Sequence, residues 1–400
     1  MPTLPINWLD RGKSLSAGDS PSYPVVAVTG PRQSGKTTLC RHTFPDHAYV
    51  TLEAQDVNAY ARSDPRGFLG EFAQGAILDE IQNAPELLGY IQERVDRDPA
   101  RGRFVLTGSQ HFGLTAQISQ SLAGRVGIAR LLPPSFDKLS RFKNAPADLF
   151  ATLWSGSYPR IFDAEIPPEQ WLRDYFSTYV QRDVRQVMNV GDLTTFSTFV
   201  RVCAGRTACE ANLSGIASDV GVSHHTIGAW LSVLETSFLT LQIPSFHANV
   251  RKKSIKAPKM HFVDSGLVCW LLGIRSPTEL RHHPLRGAIF ESWVASELYK
   301  LFAHSNLDPQ IHHYRAARGV EIDLILDAGA KLGLVEVKSG ATIDSSYFKA
   351  FEAFRESGEF SNKTIETFLV YGGVAAQSRT STAVVPWRSI RQVFERVVAV

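Results

Sequence analysis

The sequence has few cysteines, no long apolar run and little net charge, and each of these absences excludes a class of protein. Its four cysteines form no CxxC pair and have no histidine at zinc-binding spacing, which argues against a disulfide framework or a zinc knuckle. No window reaches the apolar length that spans a bilayer. Residues 1–20 lack the basic-then-apolar layout of a signal peptide. We therefore expect a cytoplasmic protein with reduced thiols and no membrane segment.

The bulk composition is that of an ordinary globular protein. Apolar residues make up 44% of the chain and charged residues 20%, so disorder is not indicated. The 400 residues exceed what one hydrophobic core usually serves, and we expect two or three domains. A net charge of +3 does not by itself indicate nucleic-acid binding, although it is compatible with local basic patches.

Short apolar runs alternate with amphipathic segments over residues 25–132. The runs have the length of buried strands and lie at residues 25–28, 48–52, 76–78, 104–106 and 128–132. Strands that alternate with helices are typical of a parallel sheet with helices on both faces. Pro133 and Pro134 end the pattern, because two prolines cannot continue a strand ladder. The sequence thus predicts an α/β domain at residues 1–140.

A phosphate-binding loop follows the first apolar run. The pattern G-x-x-x-x-G-K-[ST] is matched without exception, and the residues expected to bind nucleotide are Gly30, Pro31, Arg32, Gln33, Ser34, Gly35, Lys36, Thr37 and Thr38. Glycines let backbone N–H groups close around phosphate oxygens, and Lys36 neutralises charge on the β and γ phosphates. The Thr37 hydroxyl is expected to bind Mg²⁺. The motif therefore predicts a site for ATP and Mg²⁺.

Two adjacent carboxylates, Asp79 and Glu80, end the third apolar run. We expect Asp79 to hold the metal through water and Glu80 to polarise the water that attacks the γ phosphate. Both motifs fall at carboxyl ends of parallel strands, where ligands bind in such sheets. The alternative is a glycine-rich turn beside an unrelated acidic strand end. It does not account for the order of strand, loop, helix and acidic pair.

Further candidates for catalysis follow the fourth run. Thr107 or Ser109 would bond the attacking water or the γ phosphate, and the alternative is a plain strand-end turn. Arg125 is a candidate for the arginine that stabilises charge in the transition state. Action in its own subunit, action in a neighbouring subunit and a plain surface position all stay open for Arg125.

Residues 141–285 are mostly helical in pattern and contain a candidate helix-turn-helix. Gly221 suits the tight turn, and Ser223 suits the start of the next helix. That helix begins with His224 and His225 and offers no Arg or Lys to bases. Five cations lie downstream of this helix. They would either form a wing that binds the backbone of a duplex or be solvated charges on a structural module. They are Arg251, Lys252, Lys253, Lys256 and Lys259.

Residues 286–400 return to strand-like runs that carry acids. Asp323 lies in one run, and Glu336 and Lys338 share one face of the next. If the two strands are neighbours, the carboxylates would suit Mg²⁺, and the lysine would position water for phosphodiester cleavage. Two alternatives stay open, an amphipathic hairpin with a solvated face and a nuclease-like fold that only binds nucleic acid.

These motifs, in this order, resemble those of a prokaryotic family of AAA-type P-loop ATPases with a C-terminal domain of unknown function. The resemblance covers nearly the whole chain and rests on residues 30–37, 78–80, 106–109, 122–125, 179–183, 262–267, 290–291 and 336–338. It implies an AAA-type nucleotide domain, a helical and winged-helix middle and a C-terminal module. AAA-type proteins often form rings, so the resemblance is compatible with a homo-oligomer.

The C-terminal acids are similar to the D…E-x-K core of the PD-(D/E)XK nucleases. This resemblance implies an α/β restriction-endonuclease-like domain, with Glu291 on the preceding helix as a further metal ligand. The chain departs from the pattern before Asp323, where Glu321 and Ile322 stand and no proline is present.

The sequence thus favours three parts, at residues 1–140, 141–285 and 286–400. In this interpretation ATP turnover controls a nuclease-like module that binds duplex DNA or another nucleic acid. The alternative is a signalling switch that binds a protein partner and has an inactive nuclease-like fold. A small-molecule kinase would use the same loop, but Glu80 suits water activation better than an acceptor hydroxyl.

Overall fold

The chain divides into two compact units. The computed structural model describes residues 23–108, 118, 120–179, 193–247, 257–316, 319–358, 360–379 and 381–398. The first unit is Met1–Pro133 with Thr236–Phe238 and Phe302–Leu307, and the second contains the remaining residues. Within the described ranges, no helix is long and apolar enough to cross a membrane.

The first unit is built on a parallel sheet of five strands. They are β1 (Val25–Thr29), β2 (Ala48–Thr51), β3 (Ala76–Asp79), β4 (Phe104–Gly108) and β5 (Val126–Arg130). Their order across the sheet is β2-β3-β4-β1-β5, with parallel pairing throughout. The predicted parallel α/β sheet is confirmed. Because β4 lies between β1 and β3, its carboxyl end adjoins both predicted nucleotide motifs.

Helices cover both faces of this sheet. They are α1 (Lys36–Thr43), α2 (Gln55–Ser63), α3 (Pro65–Gly70) and α4 (Leu87–Arg97), with a short 3-10 helix at Ile81–Asn83. Val26 and Val28 of β1 share a core with α1, whereas Val25 and Ala27 share a core with α2, α3 and α4. Alternate residues of a strand point to opposite faces. All five residues of β1 are therefore buried.

The second unit begins with a helical region. Its helices are α5 (Phe136–Leu139), α6 (Leu149–Ser155), α7 (Pro159–Asp163), α8 (Pro168–Tyr175), α9 (Leu193–Gly205), α10 (Leu213–Val220), α11 (His224–Thr236), α12 (Ser265–Leu271) and α13 (Pro277–His282). A small antiparallel sheet in the order β6-β8-β7 lies among them. Its strands are β6 (Cys209–Glu210), β7 (Thr240–Ile243) and β8 (Lys259–Phe262). The predicted helical middle is confirmed.

The C-terminal region carries a mixed sheet. Its elements are α14 (Arg286–His304), β9 (Ile311–Arg315), β10 (Glu321–Asp327), β11 (Lys331–Lys338), α15 (Lys349–Glu356), β12 (Thr364–Tyr371), β13 (Gln377–Ser378), β14 (Ala383–Pro386) and α16 (Arg391–Val397). The strand order is β13-β14-β12-β11-β10-β9. Strands β9, β10 and β11 pair antiparallel, whereas β12 pairs parallel with both β11 and β14. The return to strands that the sequence predicts is confirmed.

Candidate functional site

The phosphate loop joins the end of β1 to the start of α1. At Gly30 an added Cβ would lie 2.1 Å from the backbone oxygen of Leu131, so the close approach admits only glycine. Gly35 immediately precedes α1 in a left-handed conformation with φ 92°. Gln33 also has a positive φ, of 63°. This backbone curls the loop at the amino end of α1, where N–H groups favour an anion.

Lys36 is buried at the first position of α1. Its Nζ donates to the backbone oxygens of Gly30, at 3.0 Å, and Pro31, at 2.9 Å. Burial lowers the pKa of Lys36, and the carboxylates of Glu80 and Asp79 oppose this shift. The ammonium therefore lies inside the loop that is predicted to hold the phosphates.

Three hydroxyl groups converge on the carboxylate of Asp79 at the end of β3. Thr37 Oγ1 donates to Oδ2 at 3.0 Å, and Tyr49 OH donates to the same oxygen at 2.6 Å. Thr107 Oγ1 donates to Oδ1. A hydroxyl beside a carboxylate is a hard-oxygen donor set that suits Mg²⁺, so Thr37 and Asp79 fit the predicted metal.

Glu80 occupies a turn directly after the strand. Its backbone is left-handed, with φ 57° and ψ 51°, a conformation that costs a non-glycine residue about 1 kcal/mol or more and clusters at functional sites. Its N–H donates to Thr107 Oγ1 at 3.3 Å, and the side-chain amide of Gln82 bonds its carboxylate. Thr107 thus holds Asp79 and Glu80 together and does not present a free hydroxyl to water. Ser109, the other predicted hydroxyl, lies outside the described residues.

Arg125 lies at the amino ends of the strands, whereas the phosphate loop follows the carboxyl end of β1. Arg125 precedes β5, whose first residue Val126 pairs with Val25 at the start of β1. Two side-chain nitrogens of Arg125 bond Asp96, with Nη2 2.9 Å from Oδ2. The chain's own nucleotide site is thus one strand length away from Arg125, and action there is not favoured. The remaining catalytic interpretation for Arg125 is action on a neighbouring copy.

In the second unit, β10 and β11 bring Asp323, Glu336 and Lys338 together. Lys338 Nζ lies 2.9 Å from Glu336 Oε2 and 3.8 Å from Asp323 Oδ2. The N–H of Val337 donates to Asp323 Oδ2 at 2.8 Å. The register of β10 against β9 shifts between Ile322 and Ile325, and such a bulge re-aims the side chains within it.

Burial makes Glu336 of this cluster a weak acid. It raises the pKa of Glu336 to about 7, the charge of Asp323 adds to this shift, and Lys338 opposes it. Burial would lower the pKa of Lys338, but Asp323 and Glu336 outweigh it and raise that pKa. An open cleft of about 510 Å³ lies beside the cluster, and its lining includes Glu321, Glu336, Lys338 and Lys349.

Glu291 and Lys259 form a second part of the same cluster. Lys259 Nζ lies 3.1 Å from Glu291 Oε1 and 2.8 Å from Glu321 Oε1. Burial raises the pKa of Glu291 to about 8, Asp323 adds to the shift, and Lys259 opposes it. Lys259 is buried, which corrects its interpretation as a wing cation or a solvated charge. Lys252, Lys253 and the other predicted wing cations lie outside the described residues.

Glu291, Asp323 and Glu336 are the predicted C-terminal metal ligands. Among the residues that the structure describes, no group of three or more His, Cys, Asp or Glu side chains is placed to hold a metal ion. The role of these three residues as metal ligands stays a prediction. Ammonium groups of Lys259 and Lys338 already face two of these carboxylates.

The helix-turn-helix geometry follows its local sequence. Gly221 ends α10 with φ 80°, and Ser223 Oγ accepts from the N–H of Thr226 at 3.1 Å at the start of α11. His224 and His225 are exposed. Neither α10 nor α11 contains an Arg or Lys residue. These helices present no cation to a phosphate backbone.

Two contacts in these sites were not predicted, the one between Tyr49 and Asp79 and the one between Lys259 and Glu291. Tyr49 lies on β2, which pairs with β3, and no local sequence pattern predicts that these two strands are neighbours. Lys259 is the last of a run of cations, and such a run is usually exposed to solvent. All four residues of β8 are buried, so the polar–apolar alternation along β8 does not reveal that Lys259 is enclosed.

Three segments of the chain match known domain families. Residues 22–140 match the model of an AAA domain. Residues 146–278 match a domain of unknown function, DUF8612, and residues 286–390 match another, DUF4143. Neither C-terminal match carries a function.

Two uncharacterized bacterial proteins are similar to parts of this chain. The uncharacterized protein Rv2008c of Mycobacterium tuberculosis is 29% identical over 326 residues, which is 80% of this chain and 71% of that protein. An uncharacterized protein of Haemophilus influenzae is 26% identical over 176 residues, 41% of this chain and 44% of that protein.

Among solved structures, the Walker-type ATPase PABY2304 of Pyrococcus abyssi is 14% identical. The match has a TM-score of 0.43 and covers 66% of this chain and 94% of that chain. The match to the AAA model and the loop geometry agree. The chain therefore carries an N-terminal AAA-type P-loop domain, which implies ATP as its ligand, followed by two domains of unknown function.

Proposed function

We propose that the first unit hydrolyses ATP with Mg²⁺. The observation that carries this proposal is the contact of Thr37 Oγ1 with Asp79 Oδ2 at 3.0 Å, with Glu80 next in the chain. This contact joins the phosphate loop to the acidic end of β3. A bound Mg²⁺ would neutralise phosphate charge there.

Each side chain has a role that its position supports. The Lys36 ammonium binds phosphate oxygens, and Thr37 with Asp79 holds the metal. Glu80 takes a proton from the attacking water. The left-handed backbone of Glu80 turns this residue away from the axis of β3. Thr107 is a positioning residue, because its hydroxyl bonds both Asp79 and the N–H of Glu80.

Removal of the loop cation tests nucleotide binding. Lys36→Ala is expected to weaken Mg²⁺–ATP binding by at least about 30-fold, because a charge-assisted bond to phosphate contributes roughly 2 kcal/mol or more. Isothermal titration with ATP measures this loss. Arg62→Ala, which removes an exposed cation paired with Glu86, serves as the control and should bind normally. Unchanged ATP affinity in Lys36→Ala would contradict the assignment of the site.

We further propose three functional parts, at residues 1–140, 141–285 and 286–400, in which ATP turnover controls the last two. The order α9-β6-α10-α11-β7-β8 supports a winged helix-turn-helix in the middle part. The order α14-β9-β10-β11-α15-β12 supports a restriction-endonuclease-like C-terminal part. Asp323, Glu336 and Lys338 beside an open cleft are the observation that favours nucleic acid as its ligand.

Loss of one carboxylate tests the nuclease-like proposal. Asp323→Ala is expected to abolish Mg²⁺-dependent nicking of a plasmid, because Asp323 lies 3.8 Å from Lys338 Nζ and accepts from the N–H of Val337 in β11. A gel of plasmid forms with ATP present measures this. Asp327→Ala is the matched control, since Asp327 lies on the same strand and pairs with Lys363 at 2.9 Å. Equal cutting by wild type and Asp323→Ala would remove the catalytic role.

The protein-partner switch is the second candidate function. Two observations favour it, the lysines that face the C-terminal carboxylates and the lack of cations on α10 and α11. A switch hydrolyses ATP at the same rate with and without duplex DNA and leaves the DNA intact. A nuclease module controlled by ATP cuts DNA and responds to it. The two rates, measured in Mg²⁺ with the DNA followed on a gel, distinguish the candidates.

A further inference from the structure

Lys259 is an enclosed cation that no phosphate-binding or nuclease motif includes. Its side chain is 5% exposed, and its ammonium contacts two carboxylates, Glu291 of α14 and Glu321 of β10. A charge removed from water to this extent is retained only when opposite charges compensate it. The contacts at 3.1 Å and 2.8 Å supply that compensation from two sides of the Lys259 ammonium.

The position of Glu291 differs from that of a ligand open to the cleft. Among the described residues, the cleft lining includes Glu321, Glu336 and Lys338 but not Glu291. Glu291 instead has Lys259 Nζ at 3.1 Å. Asp323 also repels its negative charge. A positive charge beside Glu291 offsets this repulsion, and Lys259 of β8 provides that charge.

We propose that Lys259 is the resident cation of the C-terminal cluster and takes the place beside Glu291 that the metal-ligand pattern gives to a divalent ion. The inference rests on the proposed C-terminal site and refines it. Glu291 is then a partner of Lys259 and not a metal ligand. Lys259 is a positioning residue that holds Glu321 at the cleft.

The origin of Lys259 gives this role a structural consequence. Lys259 belongs to the small sheet of the helical region, whereas Glu291 and Glu321 belong to the C-terminal elements. The segment that follows β7 contacts the C-terminal sheet, since Phe246 N–H donates to the backbone oxygen of His313 in β9. The charge balance of the C-terminal cluster thus depends on a residue of the middle region.

Replacement of Lys259 tests the proposal through metal binding. Full-length variants carry Asp79→Asn to remove the N-terminal metal site, and Mn²⁺ binding is measured by electron paramagnetic resonance. Lys259→Met opens the corner beside Glu291, so Mn²⁺ should bind about tenfold more tightly than in the parent, a change of roughly 1.4 kcal/mol. Mn²⁺ should also raise the melting temperature of this variant more than that of the parent.

Two controls isolate the charge at Lys259. Lys259→Arg keeps the cation and should behave as the parent does. Lys363→Met removes a lysine that pairs with Asp327 away from the cluster, and it should leave Mn²⁺ binding unchanged. Equal Mn²⁺ affinity in folded Lys259→Met and in the parent would overturn the proposal.

Glu291→Gln provides a second test that does not require Lys259→Met to fold. If Glu291 is only the partner of Lys259, Mn²⁺ affinity should stay within about twofold of the parent, whereas loss of a true ligand should cost at least the 10- to 100-fold that is typical of residues supporting a ligand. A loss of that size would overturn the proposal. Failure to cut DNA would contradict the nuclease-like function alone, because the Mn²⁺ titration does not depend on cleavage.

Discussion

At the scale of single residues, Asp79 connects the parts of the site proposed in the first unit. Its carboxylate accepts from Thr37, Tyr49 and Thr107, which come from three different elements. The loop motif predicts Thr37, and the strand end predicts Asp79. Tyr49 is not predicted, because its contact depends on β2 being the neighbour of β3.

Tyr49 should compete with Mg²⁺ for Asp79. Its hydroxyl lies 2.6 Å from Oδ2, the oxygen that also accepts from Thr37. Tyr49→Phe removes this donor, so the Mg²⁺ concentration for half-maximal ATP hydrolysis should fall about fivefold, which corresponds to roughly 1 kcal/mol. The maximal rate should change by less than about twofold. A Mg²⁺ titration of phosphate release measures both values.

Tyr60→Phe is the matched control for Tyr49→Phe. Tyr60 is similarly exposed and its hydroxyl also donates to a carboxylate, that of Glu71 at 2.8 Å. This control should leave the Mg²⁺ midpoint unchanged. If Tyr49→Phe also leaves the midpoint unchanged, Tyr49 does not compete for the metal.

At the scale of elements, the sequence predicts what local chemistry determines. The phosphate loop and the buried strands of the first unit follow from glycine spacing and from apolar runs, and β1 lies where its run predicts. The turn at Gly221 follows from local backbone preference in the same way. Register, bulges and strand order are set by tertiary pairing, so the sequence leaves them open.

Contacts between distant elements explain why Lys259 is buried and not exposed as predicted. Lys259, Glu291 and Glu321 come from β8, α14 and β10, and nothing in the spacing of these residues predicts that they meet. The sequence groups Lys259 with the preceding cations, whereas the fold buries it. The sequence leaves the role of Arg125 open for the same reason, and the sheet places Arg125 at the start of β5, paired with Asp96.

At the scale of the whole molecule, two compact units carry two charged sites of different design. The first unit has an internal lysine in a phosphate loop and two acids at a strand end. The second has acids and lysines paired beside a cleft. The central claim is that the first site hydrolyses ATP, and the function proposed for the second depends on that claim.

The most direct test of this claim separates ATP binding from ATP hydrolysis. Phosphate release and ATP affinity are measured in Mg²⁺ for wild type, Glu80→Gln and the control Glu86→Gln, whose carboxylate pairs with Arg62 outside the site. Glu80→Gln is expected to bind ATP as wild type does. Its phosphate release should be at least about 100-fold slower than that of wild type, since general base catalysis contributes roughly that much. Glu86→Gln should match wild type in both. Phosphate release by Glu80→Gln at the wild-type rate would contradict the account.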